Sequence, residues 1–134
     1  MKNFEIGAEI RNILMANSAL TEALKQEKDD GSTETKIYPI IADSEATFPF
    51  LIYRRMSYTP DNNKDYSGEK IYIEFYVCAT RYSESVDLIN MVADTLNRKS
   101  TELIEDIEIT NLYEDYIYDT YVQYASVEVT LNDE

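Results

Sequence analysis

From Glu69 to Ala79 the chain alternates without a break. Ile71, Ile73, Phe75, Val77 and Ala79 fall on one side, and Tyr72, Glu74, Tyr76 and Cys78 fall on the other. A side-chain period of two marks a β-strand with one face in a core. Such a strand needs neighbours to pair with and a layer to cover its apolar side, so the rest of the sequence has to supply both.

Two strands precede it. Lys36 to Ala42 carries Ile37, Tyr38, Ile40 and Ile41 around Pro39; a proline cannot donate to a ladder, so this strand is short, bent or at an edge. Phe48 to Tyr58 is apolar at first and then carries Arg54 and Arg55. A ten-residue polar connection, Thr59 to Gly68, joins it to the alternating strand as a long hairpin. That exceeds the usual two to five residues of a hairpin loop, and loops of such length are commonly functional. Two more strands follow near the end, one through Ile104, Ile107 and Ile109 and one through Tyr121, Gln123, Ala125, Val127, Val129 and Leu131. Between them lies an acidic and aromatic stretch, Tyr113 to Asp119.

The covering layer comes from helical periodicity. Ile6, Ile10, Ile13, Leu14, Leu20 and Leu24 keep to one stripe, broken at Asn17 and Ser18, where Ser18 caps a short second segment. Residues 83–96 repeat the pattern with Val86, Ile89, Ala93 and Leu96 on one face and Leu88 and Val92 widening it. Glu27 to Thr35 is polar and reads as a loop. The order α-β-β-β-α-β-β predicts an α+β fold: an antiparallel sheet of about four to five strands with two helices packed on one face. At 134 residues, positions 1–134 form one domain.

Composition narrows the chemistry. The chain has no histidine and one cysteine, Cys78. Histidine-based triads, histidine metal clusters and redox dithiols are therefore absent, and a lone thiol fits a reducing compartment. The formal charge of −14 disfavours general nucleic-acid binding, which needs a positive footprint. No run approaches the roughly 18 apolar residues of a membrane span. Asp61, Asn63 and Asp65 occupy the first, third and fifth positions of a calcium loop, but Tyr66 and Tyr72 stand where that loop needs glycine and glutamate. The acids Glu102, Glu105, Asp106, Glu108, Glu114, Asp115 and Asp119 read as a solvated strand edge that discourages stray pairing. The expectation is a protein that binds: no catalytic residues, no cofactor and no metal.

The 12 tyrosines point to what it binds with. Tyr53, Tyr72, Tyr76 and Tyr124 sit in strands, where packing on a sheet is the ordinary explanation. Yet Tyr72 and Tyr76 share the face opposite the apolar stripe, with Glu74 between them, and Tyr58 and Tyr66 flank the long hairpin. Tyrosine combines buried area with a polar tip and is enriched at protein–protein contacts. The candidate interface is Arg54, Tyr58, Tyr72 and Tyr76, together with Asp61, Asn63, Lys64 and Tyr66 of the hairpin.

The run Ile37-Tyr38-Pro39, then Phe48-Pro49-Phe50-Leu51-Ile52-Tyr53, a polar hairpin and the strand Ile71 to Ala79 resembles the tail-completion, or tail-terminator, proteins of long-tailed bacteriophages. The resemblance spans residues 4–98 by element order and is sharpest over 37–79; the acidic segment 102–119 lies outside it. It implies a small α+β subunit that forms a ring, commonly a hexamer, at the head-proximal end of the tail tube. Such a ring fixes tail length and offers a face to head-completion proteins, and the Thr59 to Gly68 hairpin becomes a contact loop. It also implies a place in the virion tail, assembled in the host bacterial cytoplasm, with no membrane partner. Double-stranded DNA passes through the ring, and a wall of subunits at −14 each repels it and leaves it no site to stick. The competing expectation is an acidic DNA mimic, an inhibitor or adaptor, which needs its carboxylates along one elongated face.

Overall fold

The structure is a computed structural model that describes residues 5–59 and 69–132. Its element order is α1 (Ile6–Met15), α2 (Ser18–Ala23), β1 (Lys25–Glu27), β2 (Thr33–Thr35), β3 (Ile37–Pro39), β4 (Phe50–Thr59), β5 (Lys70–Ala79), α3 (Tyr82–Leu96), β6 (Ile104–Ile117) and β7 (Thr120–Leu131). The alternating strand forms as its pattern dictates. Ile71, Ile73, Phe75, Val77 and Ala79 are buried, and β5 lies at the centre of a five-stranded sheet ordered β3-β4-β5-β7-β6. Ala125, Val127, Val129 and Leu131 extend the apolar face on β7, and Ile104 and Ile107 on β6. Ile6, Ile10, Leu14, Leu88, Val92 and Leu96 of the helices close over it in one core. Each large side chain so buried contributes about 1.5–3 kcal/mol relative to exposure.

The α+β architecture is as expected, with three differences in detail. First, the sheet is mixed, because β3 pairs with β4 in parallel, Ile37 opposite Leu51 and Pro39 opposite Tyr53. That pairing is only three residues long, and it ends where Ile40 takes a left-handed φ of 69° and turns the chain away. Second, residues 27–35 are not a loop throughout: β1 and β2 pair as a small separate hairpin. Its turn is held by Gly31 at φ 86° and by Asp30, whose carboxylate accepts from the Ser32 N–H at 2.9 Å and hydroxyl at 2.6 Å. This is turn chemistry that a polar composition conceals.

Third, the acidic stretch does not separate two strands; it is strand. β6 runs on to Ile117 and pairs with β7 up to Thr120. The connection is two residues, Tyr118 and Asp119, with φ of 50° and 59°. Left-handed backbone at both central positions is the type I′ arrangement, whose twist matches that of the flanking strands. Register slips near Ile104 and Thr110 let β6 stay paired along most of its 14 residues. Among the described residues the helices are three, and the cap of α2 is Asn17 and not Ser18, which is its first helical residue: the Asn17 side chain accepts from the Leu20 N–H at 3.2 Å.

Candidate functional site

The face of the sheet opposite the helices carries the tyrosines. Pairing registers β4, β5, β7 and β6 into rows: Ile52, Tyr76, Tyr124 and Tyr113 in one, and Arg54, Glu74, Ser126 and Asn111 in the next. Within the first row the rings touch. Tyr113 stacks flat on Tyr124 with centroids 4.4 Å apart, and Tyr124 meets Tyr76 edge to face at 5.3 Å. The Arg54 guanidinium stands 5.7 Å over the Tyr76 ring, within the range of a cation–π contact.

Glu74 sits in the middle, only 9% exposed. An isolated buried carboxylate is costly. This one accepts from the Tyr113 hydroxyl, and from the Ser126 hydroxyl at 3.3 Å. The same arrangement acts on its neighbours. The bond to Glu74, with burial, pushes the Tyr113 hydroxyl up to about 12, and burial, with the Glu74 carboxylate beside it, pushes Tyr76 up to about 12. Both phenols stay neutral, and the Tyr113 hydroxyl is committed as a donor. Beside the tyrosine row lies an open groove of about 460 Å³ between Phe48 and Phe50 on one side and Ile117 and Tyr118 on the other, floored by Cys78 and Val122. Burial pushes the Cys78 thiol up to about 11.

Arg54, Tyr72 and Tyr76 of the sequence-based candidates share this face. Tyr58 does not: it points inward, opposite Ile71, and packs partly buried against the core. Asp61, Asn63, Lys64 and Tyr66, with the calcium-like spacing, lie outside the described residues. Sequence reasoning missed Tyr124 as the partner of Tyr76, and Tyr113 as the partner of Tyr124. The signal was there in Tyr124, which alternates with the buried residues of β7, but locating Tyr113 required the register of β6.

A second aromatic group lies on the helix side, where the β6–β7 hairpin runs past the start of α3. Tyr82 meets Tyr121 at 5.7 Å and Tyr121 meets Tyr116 at 4.9 Å. Glu114 accepts from Gln123 at 3.0 Å and from the Tyr82 hydroxyl at 2.8 Å, and these bonds hold its carboxyl below the usual range. That is the opposite direction from a general acid, which needs its proton retained. Among the described residues no group of three or more acids, cysteines or histidines is arranged to hold a metal ion. No helix among them is long and apolar enough to cross a membrane.

No protein-family model and no curated protein matches the sequence. The fold, however, is similar to a solved structure: a chain from the "Virion of native gene transfer agent (GTA) particle" superposes with a TM-score of 0.72 at 11% identity, covering 92% of this chain and 92% of that one.

Proposed function

We propose that this chain is a structural subunit of a phage-like particle and, within that class, a tail terminator. The observation that carries the reading is the fold shared with a virion chain over 92% of both lengths. The finer role draws on the sequence from Ile37 to Ala79, whose Ile-Tyr-Pro strand, Pro-aromatic strand and hairpin order resemble the tail-completion proteins. In this reading the subunit caps the tail tube as a ring, sets where the tube stops and presents a face to the head-completion proteins. It works by binding alone. Its formal charge of −14 keeps DNA moving past without a resting place, and its tyrosine face supplies broad contact area with polar tips that tolerate water before docking.

Deletion of the gene from a particle-producing strain tests this directly. The expected result by electron microscopy is tails of irregular, extended length with heads left unjoined, restored by the wild-type gene in trans. Tails that end at normal length and join heads without this chain would refute the terminator role. Capture of DNA-binding enzymes in place of tail and head proteins by the tagged chain would favour the acidic mimic.

A further inference from the structure

Phe48, Phe50, Ile117 and Tyr118 wall the groove on the tyrosine face, and Phe48, Ile117 and Tyr118 remain exposed there, Tyr118 at 96%. Scattered exposed apolar residues are ordinary, whereas a contiguous patch marks a contact. Here the walls stand on either side of a floor of Val122 and half-buried Cys78. At about 460 Å³ the space takes a few side chains of an incoming ligand.

One cation reaches the groove. Arg54 lines it, with its guanidinium 5.7 Å over the Tyr76 ring. In a chain with 12 Lys and Arg against 26 Asp and Glu, a cation is expected to find a carboxylate. Lys28, Lys70, Arg81 and Arg98 each have one, but among the described residues Arg54 has none within ion-pair distance. The acid that lines the groove, Glu74, is 9% exposed and already accepts from the Tyr113 and Ser126 hydroxyls. A planar guanidinium held by its face over a ring keeps its edge donors, and two of those match one carboxylate. The groove therefore presents apolar walls and a single uncompensated positive charge.

The register sets the spacing between them. Phe50, Cys78 and Val122 form one row on this face, and Ile52, Tyr76 and Tyr124 form the next. Such rows are two residues apart, roughly 7 Å along the strands. An extended segment laid along the groove has the same period, so side chains two residues apart both point at the floor. One then seats between the walls over Cys78, and the other reaches the guanidinium above Tyr76.

We propose that the groove binds an extended segment of a different protein in which an Asp or Glu stands two residues from a large apolar side chain. The carboxylate pairs with Arg54, and the apolar side chain fills the space between Phe50 and Ile117. The inference goes beyond the terminator role and does not depend on it.

The chain has no tryptophan, so a tryptophan-containing peptide reports binding to the purified protein by its own fluorescence. The probe is acetyl-Ser-Trp-Ser-Asp-Ser-Trp-Ser-amide, whose acid has a tryptophan two residues away on both sides and so serves either chain direction. It is expected to bind with a midpoint below about 1 mM, and to lose about tenfold or more when its aspartate becomes lysine. Moving the aspartate by one residue, in acetyl-Ser-Trp-Asp-Ser-Ser-Trp-Ser-amide, turns it away from the floor and is expected to cost as much. Arg54→Glu, with its fold checked by thermal melting, is expected to reverse the preference so that the lysine peptide binds better. A second measurement needs no variant: saturating probe is expected to slow the reaction of Cys78 with a methanethiosulfonate about fivefold or more, because the seated side chain covers the thiol. No binding up to about 1 mM, equal binding of the lysine peptide, or a bound probe that leaves Cys78 as reactive as before would overturn the inference without touching the terminator role. Self-associated chains released by the probe, seen in sedimentation velocity, would name a second copy as the occupant and overturn it as well.

Discussion

Tyr113→Phe isolates one hydroxyl at the centre of the tyrosine face. The phenylalanine keeps the flat stack on Tyr124 at 4.4 Å and loses only the donor to Glu74. Hydrogen bonds to charged groups contribute about 1.5–3 kcal/mol. Tyr113 is 42% exposed and water can partly replace its hydroxyl, so the lower figure applies, about 1.5 kcal/mol. At this chain length 1 kcal/mol moves Tm by about 3–5 °C, which gives an expected drop of about 4–8 °C at pH 7. Glu74 retains Ser126, at a longer 3.3 Å, so Ser126→Ala should cost less. The pH dependence supplies a second signature. The Tyr113 hydroxyl titrates near 10 when unfolded and is held up to about 12 when folded. Its contribution is therefore complete below pH 10 and is lost as pH rises through 12. The gap between wild type and variant, followed by thermal melts from pH 7 to 11, should narrow on the alkaline side. A drop of under 1 °C at pH 7, or a gap that does not narrow, refutes the assignment of Tyr113 as the donor that stabilises Glu74.

Three further outcomes are expected. Asn17→Ala removes the α2 cap and the 2.7 Å bond to the Thr95 hydroxyl, and should cost about 1–2 kcal/mol in urea unfolding; a loss under 0.3 kcal/mol contradicts the cap. Cys78, with its thiol pushed up to about 11 by burial, should react with a disulfide reagent at pH 8 roughly 100-fold more slowly than the urea-unfolded chain; equal rates contradict its burial. Association should strengthen from about 10 to 150 mM salt, as screening removes the repulsion between whole chains at −14. A monotonic fall from low salt would show that net repulsion plays no part.

The elements legible in the sequence are those where one face is buried and periodicity records it. β5 is the clearest case, since Ile71 to Ala79 alternate against a core that touches every second residue. β7 and α3 read equally well for the same reason. The β6 extension did not, because residues 110–117 are exposed on both sides and carry no burial pattern; only pairing with β7 makes them a strand. The parallel placement of β3 was hidden for a different reason. Ile37 and Tyr38 are apolar whichever way the strand runs, and its direction is set by the path of residues 40–49. The tyrosine face was half visible: Tyr72 and Tyr76 follow from β5 alone, whereas the stacking of Tyr113 on Tyr124 depends on a slipped register that no local pattern encodes.

The two-residue turn at Tyr118 and Asp119 has a kinetic consequence. A ribbon closed so tightly, without glycine, has little slack at its end, and the entropy of ordering it is lost during folding and not at encounter. In the ring proposed above, a contact made by this tip should then follow a single concentration-dependent phase, limited by mutual orientation. Glycine at position 119 would soften the tip and introduce a slower ordering step.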